Sequence, residues 1–150
     1  MLTLRRDDGY ELSTDPDRLD VGRIHQWLST DAYWAIGRTR ERVDQAVAAS
    51  VNYGVYRSGD GRQVAYTRAV TDSATFAWLC DVYVDRAERG RGLGTWMVGA
   101  ARDHLHGLGV PRLLLSTMDA QGVYAKLGFV PLAAPTRWME SDLRTLRPQP

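Results

Sequence analysis

Six residues, Arg89-Gly90-Arg91-Gly92-Leu93-Gly94, stand between an apolar run of the kind strands carry and a stretch of helical periodicity. Glycine removes the Cβ atoms that would hold a ligand away from the main chain, and it permits positive φ angles. The free N–H groups of a first helical turn then converge on one spot, with the positive end of the helix dipole behind them. That arrangement suits a phosphate or pyrophosphate. The same glycines would also serve a tight strand-to-helix connection that binds nothing. Two nucleotide motifs are excluded by spacing. A P-loop ends in Gly-Lys-Ser/Thr, whereas Gly94 is followed by Thr95 and Trp96. A dinucleotide fingerprint needs G-x-G-x-x-G and an acidic residue about 20 positions later. Here Gly90, Gly92 and Gly94 are evenly spaced, and Leu113-Leu114-Leu115-Ser116 fills the later strand.

Acid–base groups near this turn are few. Asp81 opens the segment Asp81-Val82-Tyr83-Val84, and strand alternation puts its side chain on the face of Tyr83. A carboxylate there either binds or deprotonates an amine, or is ion-paired with an arginine. Asp119 precedes Ala120-Gln121-Gly122-Val123-Tyr124 and reads most simply as a helix cap. The loop Ser29-Thr30-Asp31-Ala32-Tyr33-Trp34 sets two large aromatics beside a carboxylate. It is either a cage for a cationic or aromatic amine, or a loop pinned to the core by Trp34. Trp78, Trp96 and Trp138 read as core residues. Cys80, the single cysteine, reads as a small apolar residue without a basic neighbour, and it allows no intrachain disulfide and no Cys-rich metal site. His25, His104 and His106 are scattered, so no metal site is expected.

The elements that must position these groups read as β-α-α-β-β-β-α-β-α-β-β. A strand is predicted over 10–14, then a helix beginning at the cap Asp15-Pro16 and carrying Leu19, Val21, Ile24, Trp27 and Leu28. A second helix starts near Thr39 after the loop 29–38. Strands over 53–57 and 63–70 are joined by the turn Ser58-Gly59-Asp60-Gly61, and a third strand covers 75–84. Residues 92–106 repeat apolar positions at helical spacing, and 112–117 has the continuous apolar run of a strand buried on both faces. A short helix over 119–127 and strands over 129–132 and 137–140 complete the pattern, with a loose tail at 147–150.

The segment Arg89-x-x-Gly92-x-Gly94, following Asp81-Val82-Tyr83-Val84, resembles the acetyl-CoA motif of the GCN5-related N-acetyltransferase (GNAT) superfamily. The segment Asp119 to Phe129 resembles the same superfamily's Tyr-x-x-x-Gly-Phe element through Tyr124, Gly128 and Phe129. Order, spacing and the leading helix pair agree, so the resemblance covers nearly the whole chain. It implies an α/β fold with a mixed, largely antiparallel central sheet, a splayed pair of parallel strands and helices on both faces. It implies acetyl-CoA as the acyl-donor cosubstrate, its pyrophosphate on the main chain of Arg89, Gly90, Arg91, Gly92, Leu93, Gly94 and Thr95. Its pantetheine arm would run along Val82, Tyr83 and Val84 as an added strand, with a main-chain amide near Val84 facing the carbonyl oxygen. The resemblance makes Tyr124 the donor of a proton to the departing sulfur. Asp81 is the expected group on the amine side, and Tyr33 and Trp34 are expected to contact the acceptor.

The length of 150 residues suits a single domain spanning 1–150, and an apolar share of 44% suits one packed core. With 19 Lys+Arg against 18 Asp+Glu, the net charge of +1 argues against nucleic acid or an anionic membrane as partner. No run approaches the roughly 18 apolar residues of a membrane span. Residues 1–8 lack the apolar stretch of a signal peptide, so a cytoplasmic location is expected. Two functional classes follow. One is an N-acetyltransferase moving an acetyl group to a small-molecule or peptide amine by direct attack in a ternary complex. The other is a non-catalytic acyl-CoA sensor or interaction module with the same fold. A homodimer paired through an edge strand at 137–140 is compatible with both.

Overall fold

The three longer helices begin where a short polar side chain or a glycine meets an apolar stripe, and each long strand begins where β-branched and aromatic residues alternate. The structure, a computed structural model, describes residues 1–145. In chain order it contains β1 (Thr3–Arg6), β2 (Tyr10–Ser13), α1 (Val21–Thr30), α2 (Arg40–Ala48), β3 (Val51–Arg57), β4 (Gln63–Thr71), β5 (Ala77–Val84), α3 (Leu93–Gly107), β6 (Leu113–Leu114) and α4 (Gln121–Ala125). The tail at 147–150 lies outside the described residues.

The six strands form one sheet in sequence order, antiparallel throughout except for the parallel pair β5–β6. Helix α3 covers one face, where Leu93, Met97, Val98, Ala101 and Leu105 pack on Leu12, Tyr53, Val55, Ala65, Ala69 and Leu79. Helices α1 and α2 cover the other, where Ile24, Trp27, Leu28 and Val43 pack on Tyr66 and Tyr83. Each fully buried Leu, Ile, Val or Met among them contributes about 1.5–3 kcal/mol of transfer free energy. Trp27 stacks on Tyr83 with ring centroids 5.3 Å apart, which fixes α1 against β5. No helix among the described residues is long and apolar enough to cross a membrane.

Several elements differ from the sequence pattern, each for a local reason. The predicted helix from Asp15 is split. Asp15 caps only the 3-10 turn Pro16–Arg18, and Asp20 then caps α1 by accepting from the Arg23 N–H at 2.9 Å. Strand β1 carries no apolar alternation because it is an exposed edge, joined to the sheet through pairs such as Thr3 with Ser13. The strands predicted over 129–132 and 137–140 do not form. Pro131 and Pro135 remove main-chain donors there, and Pro135 starts a 3-10 turn, Pro135–Arg137. The edge strand on which a homodimer was expected to pair is therefore absent. The strand expected over 112–117 shrinks to Leu113–Leu114, and the helix over 119–127 to Gln121–Ala125.

That short β6 produces the splay. Only Ala77 with Leu113 and Trp78 with Leu114 are in register, closed by the Ala77 N–H donating to the Arg112 carbonyl at 2.9 Å. From 79 to 84 the β6 side of β5 has no partner strand.

One packing detail gives a direct check of this core. The buried Tyr56 ring lies over Gly54 with its hydroxyl unpaired, beneath the Arg18 guanidinium at 4.2 Å. Gly54→Ala drives a Cβ into that ring and is expected to cost about 1–3 kcal/mol in chemical denaturation. Tyr56→Phe removes an unsatisfied polar group and is expected to leave stability unchanged or raised.

Candidate active site

The turn after β5 is held from outside, which leaves its inner face free. Asp85 accepts from the Ala87 N–H at 3.1 Å and donates its own N–H to the Val64 carbonyl at 2.8 Å. Glu88 is buried, accepts the Tyr10 hydroxyl proton at 2.6 Å, and pairs with Arg91 at 3.4 Å and Arg57 at 3.5 Å. Gly90 and Gly92 then take φ of 81° and 71°, and a Cβ on either would point into open space. Gly92 leads into α3 without a side-chain cap. Among the described residues, no main-chain N–H from 90 to 95 has an acceptor, while the Trp96 N–H donates to the Gly92 carbonyl at 3.0 Å. Gly94 serves a different purpose, since a Cβ there would meet the Val84 side chain at 3.4 Å.

Arg89 departs from the expected cradle. Its main-chain N–H turns back to the Arg86 carbonyl at 3.4 Å, its Nε donates to the Val84 carbonyl at 3.0 Å, and its guanidinium meets Asp31 at 3.3 Å. Asp31, at the C-terminal end of α1, also accepts from the Tyr83 hydroxyl at 2.6 Å and pairs with Arg86. Hydrogen bonds from Arg86 and Tyr83 hold its carboxyl well below the usual carboxylate range. Burial, followed by the Asp31 contact, pushes the Tyr83 phenol up to about 12. Asp31 is thereby consumed in tying α1 to the turn, and the cationic cage expected around it does not form.

The splay of β5 from β6 opens a cavity of about 470 Å³. Its floor is a bulge in β5. Tyr66 pairs with Tyr83 and Arg68 with Cys80, so Asp81 and Val82 together oppose Thr67, and Asp81 takes a φ of 53°. The extra residue turns the Asp81 side chain into a polar cluster. Its Oδ2 accepts from Arg68 Nε at 2.7 Å and Arg38 at 2.8 Å, and its Oδ1 from Trp34 Nε1 at 3.0 Å. Burial alone would favour the neutral acid, but the two guanidiniums outweigh it and lower the Asp81 pKa. Both oxygens are engaged, so the geometry matches the ion-paired alternative for Asp81 rather than a free proton acceptor.

Across the cavity stands Tyr124, half-buried on α4, its ring edge-on to Phe129 at 5.8 Å. Its hydroxyl has no partner among the described residues, and burial raises its pKa, with Tyr33 and Asp119 adding to the effect. Asp119 does not cap α4, which has no side-chain cap; it lies exposed on the same wall. Tyr33 and Trp34 meet edge to face at 5.0 Å on the rim, and Trp34 is pinned through its indole N–H while its ring stays 42% exposed.

The structure thus gathers Asp81, Val82, Tyr33, Trp34 and Tyr124 around one cavity. It places Tyr83 outside the cavity, on the sheet face that packs against α1, and Val84 outside it toward Gly94. The bulge residues Asp81 and Val82 line the cavity, and Val84 does not. Sequence reasoning missed Arg38, Arg68 and Trp78. A charged residue inside the apolar run of β4 was the available signal for Arg68, whereas nothing local marked Trp78, which was expected in the core and lines the cavity 38% exposed. Cys80 is half-buried there with Arg68 nearby, but burial raises its thiol pKa and keeps it protonated.

A sequence model described as "Acetyltransferase (GNAT) family" matches residues 21–129. A structure from Xanthomonas campestris pv. campestris, described as belonging to the GNAT family, superposes with a TM-score of 0.83 at 40% identity, covering 89% of this chain and 93% of that one. A protein of Gibberella zeae provisionally named an acetyltransferase is 32% identical over 135 residues, 78% of this chain and 76% of that one. A Clostridium acetobutylicum acetyltransferase, assigned by prediction and solved with acetyl-CoA, has the same fold with a TM-score of 0.67 at 14% identity, over 90% of this chain and 96% of that one.

The bulge cluster carries its own test. Asp81→Asn strands the buried Arg68 charge and is expected to cost about 3–5 kcal/mol in urea unfolding, with part of the loss recovered when Arg68→Met is added. Because the folded pKa of Asp81 is depressed, its contribution is present above the unfolded carboxyl pKa and is lost as pH falls below that value toward the folded one. The wild-type melting temperature is therefore expected to drop below about pH 4, and the drop to shrink in Asp81→Asn.

Proposed function

The chain belongs to the acetyltransferase (GNAT) family, and on that premise we propose that it moves an acetyl group from acetyl-CoA to a primary amine by direct attack with both substrates bound. The observation that carries the reading is a shared origin. The same departure of β5 from β6 leaves a free strand edge, and at its end a turn of unpaired N–H groups, beside a cavity that holds an unpartnered phenol.

The residues present fit acetyl-CoA. Positive φ and open space at Gly90 and Gly92 let a diphosphate reach the main-chain N–H groups of 90–95. The β5 edge at Val82, Tyr83 and Val84 has no partner strand, its Val84 carbonyl being met by the Arg89 side chain, and it matches a chain of secondary amides, which adds as a strand would. When bound, acetyl-CoA supplies an activated thioester carbonyl. The rest is done by side chains and main chain of this protein. The Asp81–Val82 bulge borders the cavity, and main-chain N–H groups there would be the donors to the carbonyl oxygen. Tyr124 keeps its proton in the ground state and gives it to the departing sulfur, and the proton that the acetylated nitrogen sheds restores the phenol by way of water. Asp119, on the cavity wall near Tyr124, attracts the cationic amine, which loses its proton to water before attack. Asp81 acts indirectly by fixing the bulge, the Trp34 indole and Arg38.

Tyr124→Phe is expected to lower kcat about 100-fold or more while the acetyl-CoA Kd from calorimetry stays within about twofold. Equal loss of both would make Tyr124 structural. Acetyl-CoA binding without amine-dependent thiol release, across a panel of amines, would leave the chain as an acyl-CoA-binding module. The pH profile supplies a second check. The amine must be neutral, so kcat/KM rises with pH toward the acceptor's own pKa. Tyr124 is raised above its ordinary value of 10.0, so no downturn from its ionisation is expected below pH 10.

A further inference from the structure

The floor of the cavity has more positive than negative charge. Arg38 and Arg68 both point at Asp81 Oδ2, so two guanidiniums share one carboxylate. The side chains are 22%, 13% and 3% exposed respectively for Arg38, Arg68 and Asp81, so water compensates the surplus charge poorly. Neither arginine pairs with a second carboxylate among the described residues. Arg68 gives one further N–H to the Ser50 hydroxyl at 3.2 Å, and Arg38 gives none elsewhere. Most of the planar donor fork of Arg38 is therefore unspent, and both residues line the cavity. The main chain of Arg38 is held in place as well, with its carbonyl bonded to the His25 ring at 3.1 Å. A preordered, half-buried guanidinium with free donors is the chemistry that recognises a carboxylate or phosphate.

We propose that the acceptor is an amine that also carries an oxyanion, seated on Arg38 and Arg68, with its amine directed to the Tyr124 and Asp119 wall. The proposal rests on the acetyltransferase reading above and narrows its acceptor. A purely cationic amine would meet the surplus positive charge at the floor. An amine with an anionic end neutralises that charge and places its cationic end beside Asp119. The cavity volume of about 470 Å³ admits a molecule of amino-acid size, and the exposed faces of Trp34 and Trp78 provide apolar contact for its body.

Amine-free probes test the oxyanion site apart from catalysis. Phenylacetate, phenyl phosphate and the neutral phenylacetamide are titrated into the full chain and followed by calorimetry. At least one oxyanion is expected to bind about tenfold or more tightly than the amide, and the tighter of the two identifies the oxyanion. Arg38→Gln is expected to abolish the preference and Arg38→Lys to keep part of it. If Arg38→Gln fails to fold, the wild-type comparison of acid with amide still decides. Equal binding of acid and amide, no binding of either oxyanion, or a preference that survives Arg38→Gln in a folded protein overturns the proposal. Matched amines, phenylalanine and phenylalaninamide, are then compared as acceptors. An Arg38-dependent oxyanion site without turnover of any amine overturns the acetyltransferase reading and leaves the site standing. Equal kcat/KM for the two amines overturns the acceptor proposal and leaves acetyl transfer standing.

Discussion

Placing a carboxylate at Asp81 inside a sheet forces the rest of the local structure, because a buried charge is tolerated only when its oxygens are met by donors. Arg68 comes from the neighbouring strand, Arg38 and Trp34 from the loop between α1 and α2. To reach them all, β5 inserts a residue and Asp81 adopts a left-handed φ of 53°, at a cost of order 1–3 kcal/mol. The insertion reverses the alternation of the strand. Ala77 and Leu79 face α3 before the bulge, whereas Tyr83 after it faces α1. One irregularity thus moves the odd-numbered side chains of β5 from the α3 core to the α1 core.

The glycine turn shows the complementary arrangement. Its supports are polar side chains engaged on its outer side: Glu88 with Tyr10, Arg91 and Arg57, and Asp31 with Arg86 and Arg89. These contacts hold the turn without consuming the N–H groups of 90–95. Asp31 belongs to the end of α1 and Arg89 to the turn, while Asp81 links the following loop to the sheet. The loop that rims the cavity is therefore braced from the middle of β5, at Asp81, and from the turn that follows the strand. Tyr33 and Trp34 reach the rim on a fixed frame rather than on a free loop.

Much of this fold was legible in the chain. The alternation in β3, β4 and β5, the caps at Asp15 and Thr39, and the periodicity of α3 are local signals, and local signals survive into the folded state. The sites they marked, the glycine turn and Tyr124, stand at the places their elements required. The reading faltered where the deciding partner was distant. Strand β1 exists because β2 offers it an edge, and the strands expected at 129–132 and 137–140 fail where prolines remove donors. Asp119 looked like a cap because cap residues are recognised by type, yet α4 begins at Gln121 without a side-chain cap.

By itself the sequence determined the α/β class, the glycine turn between a strand and a helix, the Tyr124-to-Phe129 segment and the near-neutral charge. Each depends on residues within a few positions of one another, where backbone preference and side-chain periodicity act directly. Only the tertiary structure decided that Asp81 is ion-paired, that Asp31 braces the turn and that Arg38 and Arg68 share a cavity floor with Trp78. The partners in those ion pairs lie 13 to 58 residues apart along the chain. The charge state and free donors of a side chain are set by whichever groups the fold brings within hydrogen-bond reach, and no local pattern records that choice.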